Sequence, residues 1–248
     1  LLATARTLLV IHELRTAAGL EERPPEVGAA LDWLRGRQGA PGAWTDGCTD
    51  DRHRHGYCHH FAAGFFSPGP PETDLGEVWL SSGVPLTGDD EIRFAVSTVA
   101  LRAMLAWNAG GTDALLHLAV LRRVVGDWAR GQPPASLSAA GLLAAVQALL
   151  ASRQPEDLEA AERGLHLVAG KQRGDGSWAD TDAFQALEVL EAADRSGAAD
   201  AVTRRAFTHA ARLLIASQQS DGSWGRAHGP RRALIGWRTL RRLEFPEG

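Results

Sequence analysis

Gln172-Arg173-Gly174-Asp175-Gly176-Ser177-Trp178 returns as Gln218-Gln219-Ser220-Asp221-Gly222-Ser223-Trp224, a step of 46 residues (224 − 178 = 46). Gln stands six residues before Trp and Gly two before it in both copies. A weaker copy, Gln38-Gly39-Ala40-Pro41-Gly42-Ala43-Trp44, keeps Gln, Gly and Trp, and lies 134 residues before Trp178 (178 − 44 = 134), close to three such steps. Gly126-Asp127-Trp128-Ala129-Arg130-Gly131 is a degenerate copy 50 residues before Trp178 (178 − 128 = 50). A period in the forties marks stacked supersecondary units, none able to bury its apolar face alone. The Asp-Gly-Ser-Trp turn is predicted to end a helix on a glycine at positive φ, with Trp plugging a seam between helix pairs.

These residues resemble the QW motif of terpenoid cyclases such as squalene-hopene cyclase and the class II diterpene cyclases. Protein prenyltransferase β subunits and the complement thioester domain share the related fold, with looser turns. The resemblance covers roughly residues 26 to 240. It implies an all-α protein, an α/α toroid of about five to six helical hairpins in one domain spanning 1–248, with a long irregular loop at 45–90.

Composition agrees with one large domain: 248 residues, 44% hydrophobic and 23% charged. A net charge of −4 gives a nucleic-acid partner no electrostatic support. Two cysteines, Cys48 and Cys58, make no disulfide scaffold. The apolar start Leu1 to Ile11 is broken by Arg6 and followed by His12 and Glu13, too short and polar for a membrane span or a secretory signal. The expectation is a cytoplasmic protein without a transmembrane segment.

Periodicity predicts first-row (inner-ring) helices near 1–18, 89–107, 136–151, 180–194 and 230–242, and second-row (outer-ring) helices near 26–37, 112–129, 156–171 and 199–217. Asp89-Asp90-Glu91 suits the positive end of a helix dipole. Ser136 and Pro155-Glu156-Asp157 read as helix starts. The stretch 45–90, rich in Gly, Pro, Asp and His, reads as loop with a short helix over 57–66. Trp33, Trp107 and Trp237 fall on predicted helices and read as core residues before cavity walls that could stabilise a carbocation.

Each Trp turn joins a second-row helix to the next first-row one, so the residues after each Trp gather on one rim. Asp46, Cys48, His53, His55, Cys58, His59 and His60 form the first candidate set, with thiolate, imidazole and carboxylate donors within fifteen residues. Such donors suit Zn²⁺. Asp46-x-Cys48 with His228 resembles the zinc set of protein prenyltransferases, although here Asp46 and Cys48 lie in predicted loop. The competing reading is a polar loop whose histidines cap turns.

Asp180-Thr181-Asp182-Ala183 resembles two of the three acids of the Asp-x-Asp-Asp motif with which class II cyclases protonate an alkene. Ala183 stands where the third acid would. With His228, Asp180 and Asp182 make the predicted catalytic set. The same residues also read as an ordinary N-cap ahead of Ala183-Phe184-Gln185. Asp50-Asp51 and Asp89-Asp90-Glu91 would hold Mg²⁺ only with partners from elsewhere. A phosphate-binding Gly loop, a nucleophile elbow and a dinucleotide fingerprint are absent.

The expected function is a terpenoid-cyclase-like enzyme of specialised metabolism, cyclising an apolar, isoprenoid-like substrate in the central cavity by acid-initiated cation chemistry. Two alternatives stand beside it. One is a zinc-dependent enzyme built on the Cys/His loop, and the other a non-catalytic toroid that only binds.

Overall fold

The structure, a computed structural model, describes residues 1–20, 22–38, 66, 74–80, 82–224 and 229–244. Among them are nine helices: α1 (Leu2–Ala17), α2 (Pro25–Arg35), α3 (Asp89–Ala106), α4 (Thr112–Ala129), α5 (Ala139–Ser152), α6 (Pro155–Gly170), α7 (Ala183–Arg195), α8 (Ala201–Ser217) and α9 (Gly229–Glu244). The chain is all-α in class apart from a small hairpin, β1 (Val78–Trp79) paired antiparallel with β2 (Pro85–Leu86). That hairpin falls at the end of the stretch expected as loop. Its strands are two residues each, too short for alternation to register as a pattern.

Sequence character sorts the helices into two rows. α5 is apolar nearly all round and residues Ala139 to Leu150 are all buried, and α3 is buried throughout Ile92 to Leu101. A helix with no polar face must be covered on every side. α6 instead buries one stripe, Asp157, Ala160, Ala161, Gly164, Leu165 and Val168, the three-and-four spacing of a helix with one face in water. Packing follows accordingly: α1, α3, α5, α7 and α9 are successive neighbours, while α4, α6 and α8 form a second row against them and α2 packs on α1.

The rows approach closely where side chains are small. A Cβ added at Gly164 of α6 would stand 2.4 Å from Val146 of α5. Starts of the first-row helices gather at one end, tied by side chains. Glu91 accepts from the backbone and hydroxyl of Ser138, Gln185 donates to the Ala140 carbonyl, and Arg232 pairs with Asp182. The β hairpin covers this end, with Leu80 and Leu86 packed on Ile92, Ala95, Val96 and Ala140.

Both Trp turns put their glycine at positive φ as expected, but neither glycine ends its helix: α6 stops at Gly170 and α8 at Ser217. Gly176 has φ +90° and Gly222 φ +80°, and each indole donates to a carbonyl ten residues back, Trp178 to Val168 at 2.7 Å and Trp224 to Leu214 at 2.8 Å. Asp175 and Asp221 accept from the Ser177 and Ser223 amides at 2.9 Å. Gln172 closes its turn on the Gly176 carbonyl and also reaches Ala206 of α8, whereas among the described residues Gln218 bonds only within its own turn. The copies therefore differ in what lies outside them.

Other expectations shift. Trp128 lies in the last turn of α4, inside the helix expected near 112–129, so the degenerate copy lacks the separate turn of the other two, and the left-handed residue there is Gly131. Ser138, not Ser136, caps α5 by accepting from the Ala140 amide. Trp107 is buried and donates to the Leu8 carbonyl, but Trp33 and Trp237 are exposed, stacked against Arg37 and Arg241. A cationic stem over an indole face shields it without burying it. No helix of the described residues is long and apolar enough to cross a membrane.

Candidate functional site

A cavity of about 2740 Å³, open to solvent at Leu14, Leu115 and Trp237, is lined by α1, α3, α5, α7 and α9 together with Leu118 of α4 and Phe207 of α8. Apolar wall comes from Leu9, Val99, Leu105, Leu150 and Leu234. Charge enters from four helices: Arg6 and Glu13 on α1, Arg102 on α3, Glu188 and Glu191 on α7, and Arg231 and Arg238 on α9. Gln147 adds an amide from α5. At the end away from the hairpin the lining passes through Asn108, Arg153 and Ser196, which directly follow α3, α5 and α7. Asn108 (φ 51°) and Arg153 (φ 57°) hold left-handed backbone there, a conformation that costs a non-glycine residue about 1–3 kcal/mol and gathers at functional sites.

Most of these charges are paired. Arg238 meets Glu13 at 2.5 Å, and Arg231 bonds Glu188 and lies 3.9 Å from Glu13. The α1–α9 side of the cavity is thus bridged by ions. Burial pushes the Glu13 carboxyl up, but the hydrogen bond and charge of Arg238, with Arg231 and Arg195, hold it below the usual range. Glu191 pairs with Arg195 at 2.5 Å, yet burial leaves its carboxyl raised.

Arg102 is the exception. Its guanidinium donates to the Gln147 side-chain oxygen, and among the described residues no carboxylate lies within ion-pair distance of it. Burial lowers its pKa to about 10, against the more distant pull of Glu188. Arg6 is lowered too, again by burial first. Arg102 is half-buried, and a guanidinium with no carboxylate in contact has unspent capacity for an anion, its planar fork matching a carboxylate or phosphate.

The sequence-predicted acids sit elsewhere. Asp180 is half exposed and pairs with Lys171 at 2.9 Å. Asp182 is the N-cap of α7: one oxygen accepts from the Phe184 and Gln185 amides at 3.0 and 3.1 Å, and the other lies 3.3 Å from Arg232. Burial raises its carboxyl against those stabilising contacts. Neither residue lines the cavity. Asp46, Cys48, His53, His55, Cys58, His59, His60 and His228, with the turn at Trp44, lie outside the described residues, as does the helix expected over 57–66 except for Phe66, which forms an isolated antiparallel bridge with Gln38.

The capping geometry has a measurable consequence. Asp182→Asn keeps an oxygen for both amides and is expected to cost under about 1 kcal/mol, whereas Asp182→Ala, which uncaps α7, costs about 1–2 kcal/mol. Chemical denaturation of both variants checks this, and equal losses would mean that the Arg232 pair, not the cap, is what Asp182 contributes.

The cavity charges were open to view as lone polar residues in apolar helices: Arg6 in Leu1 to Ile11, Arg102 in Val99 to Leu105, and Gln147 in Ala144 to Leu150. A helix covered all round hides such a residue only against a polar partner or a cavity. Comparison with protein-family models, with curated proteins and with solved structures found no match to this chain.

Proposed function

We propose that the two rows form an α/α toroid of about five hairpins, and that its cavity binds a small amphiphilic acid, an isoprenoid-like or similar apolar body carrying an anionic head. The fold reading is supported by the repeated Trp turns, by the order of helix neighbours and by the cavity that the first row lines. One observation carries the ligand reading: Arg102 faces the cavity with an amide, not an acid, for a partner. Leucines and valines of the wall receive the body, and Arg102 receives the head. A wholly apolar substrate would leave that guanidinium desolvated and unmatched, which is costly.

Acid-initiated cyclisation, the second reading, is favoured by the raised carboxyl of Asp182. It requires Asp182 to leave its two amides and reach the cavity, and the amphiphilic-acid reading requires no such movement.

Melting in the presence of a long-chain prenyl diphosphate, a fatty acid, the matching prenyl alcohol and inorganic diphosphate tests the ligand class. At a hundred times its Kd, a ligand that binds only the folded state stabilises by about 2.7 kcal/mol, a rise of about 5–10 °C for a domain of this size. The rise is expected with the acids and not with the alcohol or the bare anion. Equal rises with acid and alcohol, or none with any acid, would overturn the proposal.

A further inference from the structure

Away from the cavity, on the outer face of the second row, Glu162 and His166 stand one helical turn apart on α6 and therefore on one face. Asp200, the N-cap of α8, faces them. One oxygen of Asp200 accepts the Thr203 amide at 2.8 Å, and the other lies 2.8 Å from His166 Nε2. One ligand atom from each of Glu162, His166 and Asp200 falls within 4.8 Å of the others. Beside them a cavity of about 390 Å³ is lined by Glu159, Glu162 and Asp200, with no Arg or Lys in its wall.

We propose that Glu162, His166 and Asp200 bind a divalent transition-metal ion of the zinc type, tying α6 to α8. Two oxygens and one imidazole nitrogen are the donor types that zinc takes, and three protein ligands leave a fourth position open to water or a small anion. The amide bond to Thr203 orients Asp200, as second-sphere partners orient ligating carboxylates elsewhere. Ligand atoms about 2.0–2.2 Å from a tetrahedral ion stand about 3.3–3.6 Å apart. The His166–Asp200 contact therefore opens by about half an ångström as the shared proton leaves for solvent. Rotamer adjustment of two half-exposed side chains supplies that movement.

The competing account is a plain hydrogen bond between two helices. Calorimetric titration of the metal-free full chain with zinc chloride separates them, run in a Cys48→Ser, Cys58→Ser, His59→Ala background so that the Cys/His loop adds no heat. One equivalent bound at micromolar Kd is expected. His166→Gln, which keeps a hydrogen-bond donor for Asp200, should weaken binding at least about tenfold, and Glu162→Gln several-fold, with melting temperatures of the metal-free variants unchanged. A Kd above about 1 mM, or unaltered affinity in His166→Gln, would overturn the site and leave the hydrogen bond alone.

Discussion

Gly176→Val is expected to lower stability by about 2–6 kcal/mol, from about 1–3 kcal/mol of left-handed backbone strain and about 1–3 kcal/mol of overpacking. At about 2–4 °C per kcal/mol, the melting temperature falls by about 10 °C. The second term arises because a Cβ at Gly176 would stand 2.4 Å from the His209 carbonyl oxygen of α8. Backbone there cannot swing aside as a side-chain tip would. Gly222 has nearly the same φ, but the nearest atom to its added Cβ is Gln218 Nε2 at 3.9 Å. Gly222→Val should therefore carry the strain alone, about 1–3 kcal/mol. Differential scanning calorimetry of the pair measures the gap between them. Equal losses would show that the contact with α8 contributes nothing, and unchanged melting temperatures in both would remove the turn reading altogether.

That asymmetry marks the boundary of what the sequence displays. The seven-residue repeat announces the turn in full: the glycine conformation, the Asp-Ser bond and the role of Gln are all local, and local chemistry is written in adjacent letters. What presses on the turn from outside is not. Gln172 reaches Ala206, and among the described residues Gln218 has no such partner, though both motifs share their Gln, Asp, Gly, Ser and Trp. Helix positions were equally legible, because α5 and α6 differ so plainly in periodicity. Ser136 reads as the start of α5 and Ser138 is its cap, because several residues near a helix start can cap it and only the backbone path decides among them. Trp33 and Trp237 illustrate a further limit. A large apolar residue on a helix is read as core, but the neighbouring Arg37 and Arg241 cover those rings in solvent.

The candidate site was less visible than the fold for a related reason. Functional groups close together along the chain are legible in a sequence, as Asp180 with Asp182 and the donors of the Cys/His loop are. In a two-row helical protein the cavity is lined by several helices whose contributions lie tens of residues apart. Arg6, Arg102, Gln147 and Arg231 come from four helices. Isolation among apolar neighbours marks Arg6, Arg102 and Gln147, while Arg231, beside Arg232, lacks even that, and a lone polar residue in an apolar helix is a signal without a partner until the helices are assembled. Asp182, by contrast, carries a raised carboxyl and a motif resemblance, and both of its oxygens are already engaged in holding the start of α7.

Replacing Arg102 and Gln147 together, as Arg102→Met with Gln147→Leu, should separate a binding site from a structural one. The double change avoids leaving the Gln147 oxygen buried and unpaired, a cost of about 1–3 kcal/mol in the single variant. Apolar replacement of buried polar and charged groups of similar size is often neutral or stabilising by about 1–4 kcal/mol, so the free protein should melt at or above the parent temperature. Affinity should move the other way. Truncating one member of a buried, hydrogen-bonded charge pair costs about 2–5 kcal/mol of binding, so an amphiphilic acid should bind roughly a hundredfold or more weakly, while any affinity for the matching alcohol is unchanged. Stability retained with acid binding lost is the pattern of a group kept for its ligand at the fold's expense. A melting temperature several degrees below the parent, or acid binding that survives the double substitution, would make Arg102 a part of the wall and no more.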